Sequence, residues 1–321
     1  MPEASGGDRP PAGGGQVGRE PGTRRADRVP FERVAVVGLG LIGGSIALAV
    51  RRAWPSVVVT GVDSGEVIDR ARSLGAVDAA STDLVIVSEA SLVVLAAPVR
   101  QNIGRLLELP RLVRPSAVVT DVGSTKRAIV EAARHVGGEV TFVGGHPLAG
   151  ATASGIEHAS ADLFSGRRWL FTPEADSPPD ALERLRVFVS MMGAEPCWMD
   201  AAEHDHLMAY LSHLPQLAAS ALMQVAGDEV GAAGLEFAGP GLTDTTRLAG
   251  SPSGIWADIC LTNADYLQAA LGRLADVLDS LRARVGDRDA LEGILGPARA
   301  WREQLIASAR RLDRAPEGGK R

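Results

Sequence analysis

Cysteine is almost absent from this chain, and its two cysteines lie far apart. Among 321 residues only Cys197 and Cys260 carry a thiol. A disulfide framework needs several cysteine pairs, and a structural zinc site needs clustered cysteines or histidines. Neither pattern is present. We therefore expect two buried, apolar thiols in a reducing compartment.

Long apolar runs and long basic blocks are also missing. No stretch approaches the roughly 18 consecutive apolar residues of a membrane helix. The first thirty residues are rich in Pro, Gly and Arg and lack the apolar segment of a signal peptide. We predict flexible tails at residues 1–30 and 312–321. A net charge of -6 with interspersed acids and bases argues against nucleic-acid binding. The sequence thus predicts a cytoplasmic protein without a membrane or nucleic-acid partner.

Several catalytic signatures are absent too. The chain has no HExxH, no G-x-S-x-G and no lysine between Lys126 and Lys320. These absences argue against a zinc peptidase, a serine hydrolase and a lysine base in the second half. His204 and His206 are two residues apart, so on a helix they would face different sides and make a poor metal pair.

What the sequence does contain is an alternation of apolar strands and helical segments. Nearly continuous apolar runs predict strands at "RVAVVG", "SVVVTGVD", "SLVVLAAPV", "SAVVTDVG", "VTFVGGHP", "RRWLFTP" and "EPCWMD". Helical segments are predicted at residues 45–52, 65–73, 99–109, 126–135 and 179–192. This alternation favours a doubly wound α/β, Rossmann-like domain over residues 31–199. From about Asp200 only helical periodicity remains, which predicts an all-α domain over residues 200–311.

A glycine-rich turn follows the first strand. Gly38, Gly40 and Gly43 fit G-x-G-x-x-G and enclose Leu41 and Ile42. In this pattern the glycines permit a tight turn, backbone approach to a pyrophosphate and close helix–strand packing. The helix N-terminus then offers free N–H groups to the phosphates. The turn therefore predicts dinucleotide binding.

The second strand ends at Asp63, twenty residues after the last of these glycines. A carboxylate there can accept hydrogen bonds from the ribose hydroxyls of NAD. The next residues are Ser64, Gly65 and Glu66, with no arginine to receive a 2′-phosphate. The sequence therefore favours NAD over NADP.

Three later loops should meet in the same crevice, outside the carboxyl ends of the strands. Ala97, Pro98 and Val99 form an apolar turn suited to cover the nicotinamide, Ser124 offers a hydroxyl, and His146 stands between glycine and proline. A neutral imidazole there could accept a hydroxyl proton while hydride leaves the carbon. The alternatives are a structural histidine and an N-cap role for Ser124.

The stretch "FAGPGLTDTTRLAGSP" is the most distinctive part of the helical half. Its Arg247 could hold a substrate carboxylate, or it could pair with Asp244 three residues earlier. His213 lies beside Pro215, which should kink the helix and open a cleft.

Together "VVGLGLIGGS", "VVLAAPV", "TDVGSTK", "GGHPLAG", "EHD", "SHLP" and "DTTRLAGSP", in this order, resemble the prephenate/arogenate dehydrogenase family of tyrosine biosynthesis. The resemblance runs from about Arg33 to about Arg310. It implies an NAD-binding Rossmann-like domain joined to a helical dimerisation domain, with the active site between them. It also implies NAD-dependent oxidative decarboxylation of prephenate or arogenate, with hydride leaving the ring C4 alcohol.

The resemblance also assigns roles to individual residues. His146 would polarise the C4 hydroxyl, and Ser124 would bind near that hydroxyl and the nicotinamide. Arg247 would hold a substrate carboxylate with Asp244 nearby, and His213 would support the cleft from the helical side.

At one position this chain departs from the family. Several relatives have a second histidine directly after HLP, whereas this chain has Gln216. The amide can bind substrate through hydrogen bonds but cannot titrate.

Two alternative functions remain beside this dehydrogenase. One is another Rossmann-plus-helical oxidoreductase, such as a β-hydroxyacid dehydrogenase or an imine reductase, and the other is a non-catalytic NAD-binding regulator.

Overall fold

The structure is a computed structural model that describes residues 29–136, 140–150 and 154–313. Most of the two tails predicted from composition, residues 1–28 and 314–321, lies outside these ranges. Within them, no helix has both the length and the apolar character needed to cross a membrane.

The first half is built on one eight-stranded sheet with the order β3-β2-β1-β4-β5-β6-β7-β8. Its strands are β1 Arg33–Val37, β2 Val58–Val62, β3 Ala79–Ser81, β4 Leu92–Leu95, β5 Val118–Asp121, β6 Thr141–Pro147, β7 Arg168–Thr172 and β8 Glu195–Trp198. All seven predicted strands are present, and the three-residue β3 was missed. Neighbouring strands are parallel except β6 and β7, which pair antiparallel.

Helices cover both faces of the sheet. They are α1 Leu41–Ala53, α2 Gly65–Ser73, α3 Val99–Glu108, α4 Arg127–Val136 and α5 Pro179–Met191. Alternate residues of β1 enter different cores: Val36 packs into the cluster that includes helices α1 and α5, and Val37 into the one that includes α3 and α4. Burial on both faces explains why these strands are continuous apolar runs.

The second half is helical throughout its described length. It contains α6 Ala201–Met208, a π-helical turn Ala209–His213, α7 Leu214–Leu235, α8 Pro240–Thr246, α9 Ser253–Thr262, α10 Ala264–Arg284 and α11 Arg288–Asp313. Pro215, which was predicted to kink the helix, lies in the first turn of α7, directly after this π-helical turn. Many apolar side chains of this half are exposed, among them Val225, Phe237, Val285 and Trp301.

Three sequence predictions need correction. Cys197 and Cys260 are free but only half-buried, not buried. His146 lies inside β6 rather than in a loop after it, because β7 pairs with β6 as far as Pro147. Helix α4 begins at Arg127, and the Asp205 carboxylate binds its first main-chain amides, so Ser124 is not its cap.

Candidate active site

The glycine turn between β1 and α1 leaves space on one side only. Gly38 has a φ of +97°, and a Cβ there would lie 2.6 Å from the Ala96 carbonyl carbon. A Cβ on Gly43 would overlap the Gly38 carbonyl oxygen, whereas a Cβ on Gly40 would meet nothing within 4 Å. Two glycines therefore serve packing, and the third faces open space at the carboxyl end of β1.

No side chain caps the N-terminus of α1, and no acidic residue lies in its first turn. Leu41 and Ile42 begin this helix and are half-buried. Asp63 stands beside the turn, where its carboxylate accepts the N–H of Leu39 at 2.6 Å and of Ser64 at 2.7 Å. The turn can thus receive an anion, with a carboxylate next to it.

The apolar turn after β4 is held by a buried side chain that sequence reasoning missed. The Ala97 N–H donates to Asn102 Oδ1 at 3.0 Å, and Asn102 Nδ2 donates to the Leu95 carbonyl at 3.1 Å. Pro98 then precedes α3, whose first residue is Val99. Asn102 thereby fixes this turn at the same sheet edge as the glycine turn.

His146 belongs to a hydrogen-bonded chain of three side chains. Its Nδ1 lies 2.9 Å from His204 Nε2, and His204 Nδ1 lies 2.8 Å from Asp205 Oδ1. A carboxylate can only accept, so His204 donates from Nδ1 and accepts at Nε2. His146 must then donate from Nδ1, which leaves a lone pair on its Nε2. This arrangement makes His146 a proton acceptor.

His146 and His204, the two histidines of the hydrogen-bonded series, are both held neutral. Burial lowers the pKa of His146 well below its ordinary value, and positive charge at His204, Lys126 or His213 lowers it further. Burial also lowers the pKa of His204, which the hydrogen bond to Asp205 only partly offsets. The unprotonated form that a base needs is therefore favoured.

Asp205 also connects the two halves of the protein. Its carboxylate accepts the main-chain N–H of Lys126 at 2.7 Å and of Arg127 at 2.9 Å, at the N-terminus of α4. Burial acts to raise the pKa of Asp205, but the hydrogen bonds from His204 and from these amides outweigh it, so the net shift is downward. One carboxylate thus orients the histidine chain and caps a helix of the other half.

A buried ion pair lies beneath the site. Lys126 Nζ bonds the Asp121 carboxylate, and both side chains are fully buried. Asp121 also accepts the N–H of Gly123 at 2.8 Å and of Gly145 at 3.0 Å. A Cβ on Gly145 would lie 2.6 Å from the Asp121 carbonyl oxygen. The glycines before His146 therefore permit the close strand packing that places its ring.

Arg127 adds a second link between the halves. Its guanidinium binds both carboxylate oxygens of Asp265, donates to Asn263 Oδ1 at 3.1 Å and lies 4.2 Å from the centre of the Tyr266 ring. The hydrogen bond with the Asp265 carboxylate is the main reason why the pKa of Arg127 is raised. These contacts close the junction beside the histidine chain.

His213 lies at the end of the π-helical turn and is fully buried. The Asn263 amide donates to its Nδ1 at 3.2 Å, so its proton sits on Nε2. Burial lowers the pKa of His213 to about 4, against the opposing charge of Asp205. The main chain of Ser124 approaches the same ring. The structure thus brings Ser124, His146 and His213 together.

Gln216 contacts the segment of the chain that contains Arg247. Gln216 Nε2 donates to the Leu248 carbonyl at 2.8 Å, which ties α7 to the short 3-10 turn that begins with Arg247. Arg247 and Asp244 are both exposed, and the described part of the chain contains no ion pair between them. The alternative of a local Arg247–Asp244 salt bridge is therefore wrong for this structure.

Two of the central residues, His204 and Asp205, were not identified as site residues from the residues themselves. The available signal was the adjacent polar pair His204 and Asp205 in "EHD". Both side chains are buried in the structure. His206, two residues on, is exposed, as expected from the helical period. No group of three metal-ligating side chains occurs within the described ranges.

Comparison with known proteins gives a consistent match over both halves. The family model described as "Prephenate dehydrogenase, nucleotide-binding domain" matches residues 46–197, and "Prephenate dehydrogenase, dimerization domain" matches residues 200–295. A prephenate dehydrogenase of Bacillus subtilis is 34% identical over 265 residues, which is 81% of this chain and 71% of that protein.

Solved structures agree with the sequence match. Prephenate dehydrogenase from A. aeolicus, in complex with hydroxyphenyl propionate and NAD+, has a TM-score of 0.79 and 29% identity, covering 86% of this chain and 98% of that one. Arogenate dehydrogenase from Synechocystis has a TM-score of 0.72 and 30% identity, covering 85% and 99% respectively.

Proposed function

The chain belongs to the prephenate dehydrogenase family, and we propose that it catalyses the NAD-dependent oxidative decarboxylation of prephenate, arogenate or both. The observation that carries this proposal is the chain Asp205–His204–His146, which leaves a lone pair on His146 Nε2. Prephenate would give 4-hydroxyphenylpyruvate, and arogenate would give tyrosine.

The glycine turn fits NAD. The open side of Gly40 and the uncapped start of α1, at Leu41, Ile42 and Gly43, can bind the pyrophosphate. Asp63 would accept from the adenosine ribose, while the crowding at Gly38 keeps the turn tight. Ala97, Pro98 and Val99 would line the nicotinamide half. Bound NAD supplies the hydride acceptor.

The chain's own residues would handle the proton and the carboxylates. His146 Nε2 takes the proton of the C4 hydroxyl as hydride leaves C4, and Ser124 binds that hydroxyl. The bond from C1 to the ring carboxylate then breaks and carbon dioxide leaves. Its electron pair enters the ring to make it aromatic, and the C4 oxygen takes the proton back from His146. Arg247, with Asp244 beside it, would hold a substrate carboxylate, and His213 and Gln216 would line the cleft between them.

We propose the boundary between an NAD-binding domain, residues 31–199, and a helical substrate and dimerisation domain, residues 200–311. The last strand ends at Trp198, and only helices follow. The apolar side chains that this helical part exposes, such as Val225 and Phe237, would be covered by a second copy in a homodimer. A cytoplasmic location fits two unpaired cysteines.

The test is the rate of nicotinamide reduction with NAD and with NADP, each against prephenate and arogenate. We expect turnover with at least one substrate and a preference for NAD. Absence of turnover with both substrates, in protein that binds NAD, would overturn the proposal in favour of a non-catalytic regulator or of another substrate.

A further inference from the structure

The side-chain amide of Gln216 forms hydrogen bonds through its nitrogen, whereas its oxygen has no hydrogen-bond partner among the described residues. The side chain is buried, with 3% of its surface exposed. Its Nε2 donates to the Leu248 carbonyl at 2.8 Å and lies 3.4 Å from Ser220 Oγ. A carbonyl only accepts, so this contact fixes the amide with its nitrogen toward Leu248. Oε1 has no partner among the described residues, although it is shielded from solvent.

The position of this free acceptor relates it to the substrate. Gln216 follows His213 by one helical turn on α7, and charge on His213 influences His146. Its hydrogen-bond partner Leu248 follows Arg247 directly. Gln216 therefore joins the start of α7, directly after His213, to the turn that begins with Arg247, the arginine proposed for the carboxylates at C1. The side chain that distinguishes the two substrates is also attached at C1.

We propose that Gln216 Oε1 selects the amino group of L-arogenate over the keto group of prephenate, an inference that rests on the proposed function. A buried acceptor without a partner is satisfied by an ammonium group, which only donates. The keto oxygen of prephenate only accepts, so it would leave both oxygens unpaired. A binding site rejects a ligand that leaves its buried polar groups without hydrogen-bond partners.

The charges around the cleft favour the same substrate. Lys126 is paired with Asp121, and Arg127 with Asp205 and Asp265. Arg247, in contrast, takes part in none of the ion pairs found in the described ranges. Prephenate carries two negative charges, whereas the ammonium reduces the net charge of arogenate to one. The one positive charge that Arg247 would supply matches the net charge of arogenate better than the two charges of prephenate.

The first experiment compares kcat/KM for the two substrates in the unaltered protein, in Gln216→Leu and in Ser220→Ala. We expect the unaltered protein to favour arogenate by about tenfold or more. Gln216→Leu should lower kcat/KM for arogenate by about tenfold or more, and that for prephenate far less. Ser220→Ala removes only the long contact to Nε2 and keeps the free oxygen, so it should retain the preference.

A second measurement does not require the variant to fold. L-tyrosine and 4-hydroxyphenylpyruvate differ only in amino against keto, and in the NAD-loaded protein tyrosine should bind about tenfold more tightly. Preference for prephenate, equal binding of the two products, or equal losses in Gln216→Leu would overturn this inference and leave the proposed function intact. Failure to turn over either substrate would overturn the proposed function itself.

Discussion

His146 and His204 come from different halves of the chain and meet edge to face, with ring centres 5.1 Å apart and an interplanar angle of 63°. Their nitrogens lie 2.9 Å apart, and 58 residues separate them in sequence. The proposed base is therefore oriented by a contact that forms only where the helical half docks onto the sheet.

Replacing His146 should abolish most turnover without affecting the cofactor. In His146→Asn we expect kcat to fall by about 10²–10⁴, the usual worth of a general base, with the Kd for NAD unchanged. The matched control is His206→Asn, because His206 is exposed and lies outside the hydrogen-bonded chain. A similar loss in both variants would contradict the assignment of the base.

Replacing Asp205 should disable the base indirectly. In Asp205→Asn the amide nitrogen can donate to His204 Nδ1, which moves the proton of His204 to Nε2. The Nε2–H of His204 would then face the Nδ1–H of His146, and two donors cannot form a hydrogen bond. We expect kcat to fall by about 10² or more, as in other carboxylate–histidine pairs, and Tm to fall because α4 loses a charged cap. Full kcat in the folded variant would show that the tautomer is set elsewhere.

His213 should make the fold sensitive to mild acid. Its pKa is about 4 in the folded protein, against about 6.5 when unfolded. Between these values the unfolded chain binds more protons, so stability falls as pH drops from 6.5 towards 4, by roughly 3 kcal/mol in total. Urea unfolding at several pH values should give a flatter profile for His213→Asn. Parallel profiles would contradict the expectation.

Loss of the Asp63 carboxylate should weaken NAD binding. Asp63→Ala removes both the proposed ribose contact and the acceptor for the Leu39 amide. We expect the Kd for NAD to rise by roughly tenfold or more, measured by calorimetry or fluorescence. Asp69→Ala, on the exposed side of α2, should bind NAD normally. An unchanged Kd in Asp63→Ala would remove the ribose assignment.

Arg247 should be needed for substrate affinity. Arg247→Ala should raise KM by roughly tenfold to a hundredfold, because a charged hydrogen-bonded contact is lost. Arg247→Lys keeps the charge but not the planar fork, and should recover only part of the affinity. If KM stays unchanged in both variants, Arg247 has a structural role.

The sequence predicted the sheet well because its strands are buried on both faces and appear as apolar runs. Strand β3 was not predicted, because three residues are too few to show a pattern of apolar side chains. The reversal of β7 escaped because side-chain patterns carry no information about strand direction. His146 was identified because it was predicted to follow a strand end, although it lies within β6. Its dependence on His204 and Asp205 was not, since that contact forms only when the two halves dock.

The capping of α4 by Asp205 also limits how such proteins can be recombined. A chimera that joined this nucleotide-binding half to the helical half of another oxidoreductase would retain the glycine turn and His146. It would still lack a working base unless the incoming half carried an equivalent histidine–aspartate pair at the same position. Modular exchange within this architecture therefore has to preserve the junction as a unit.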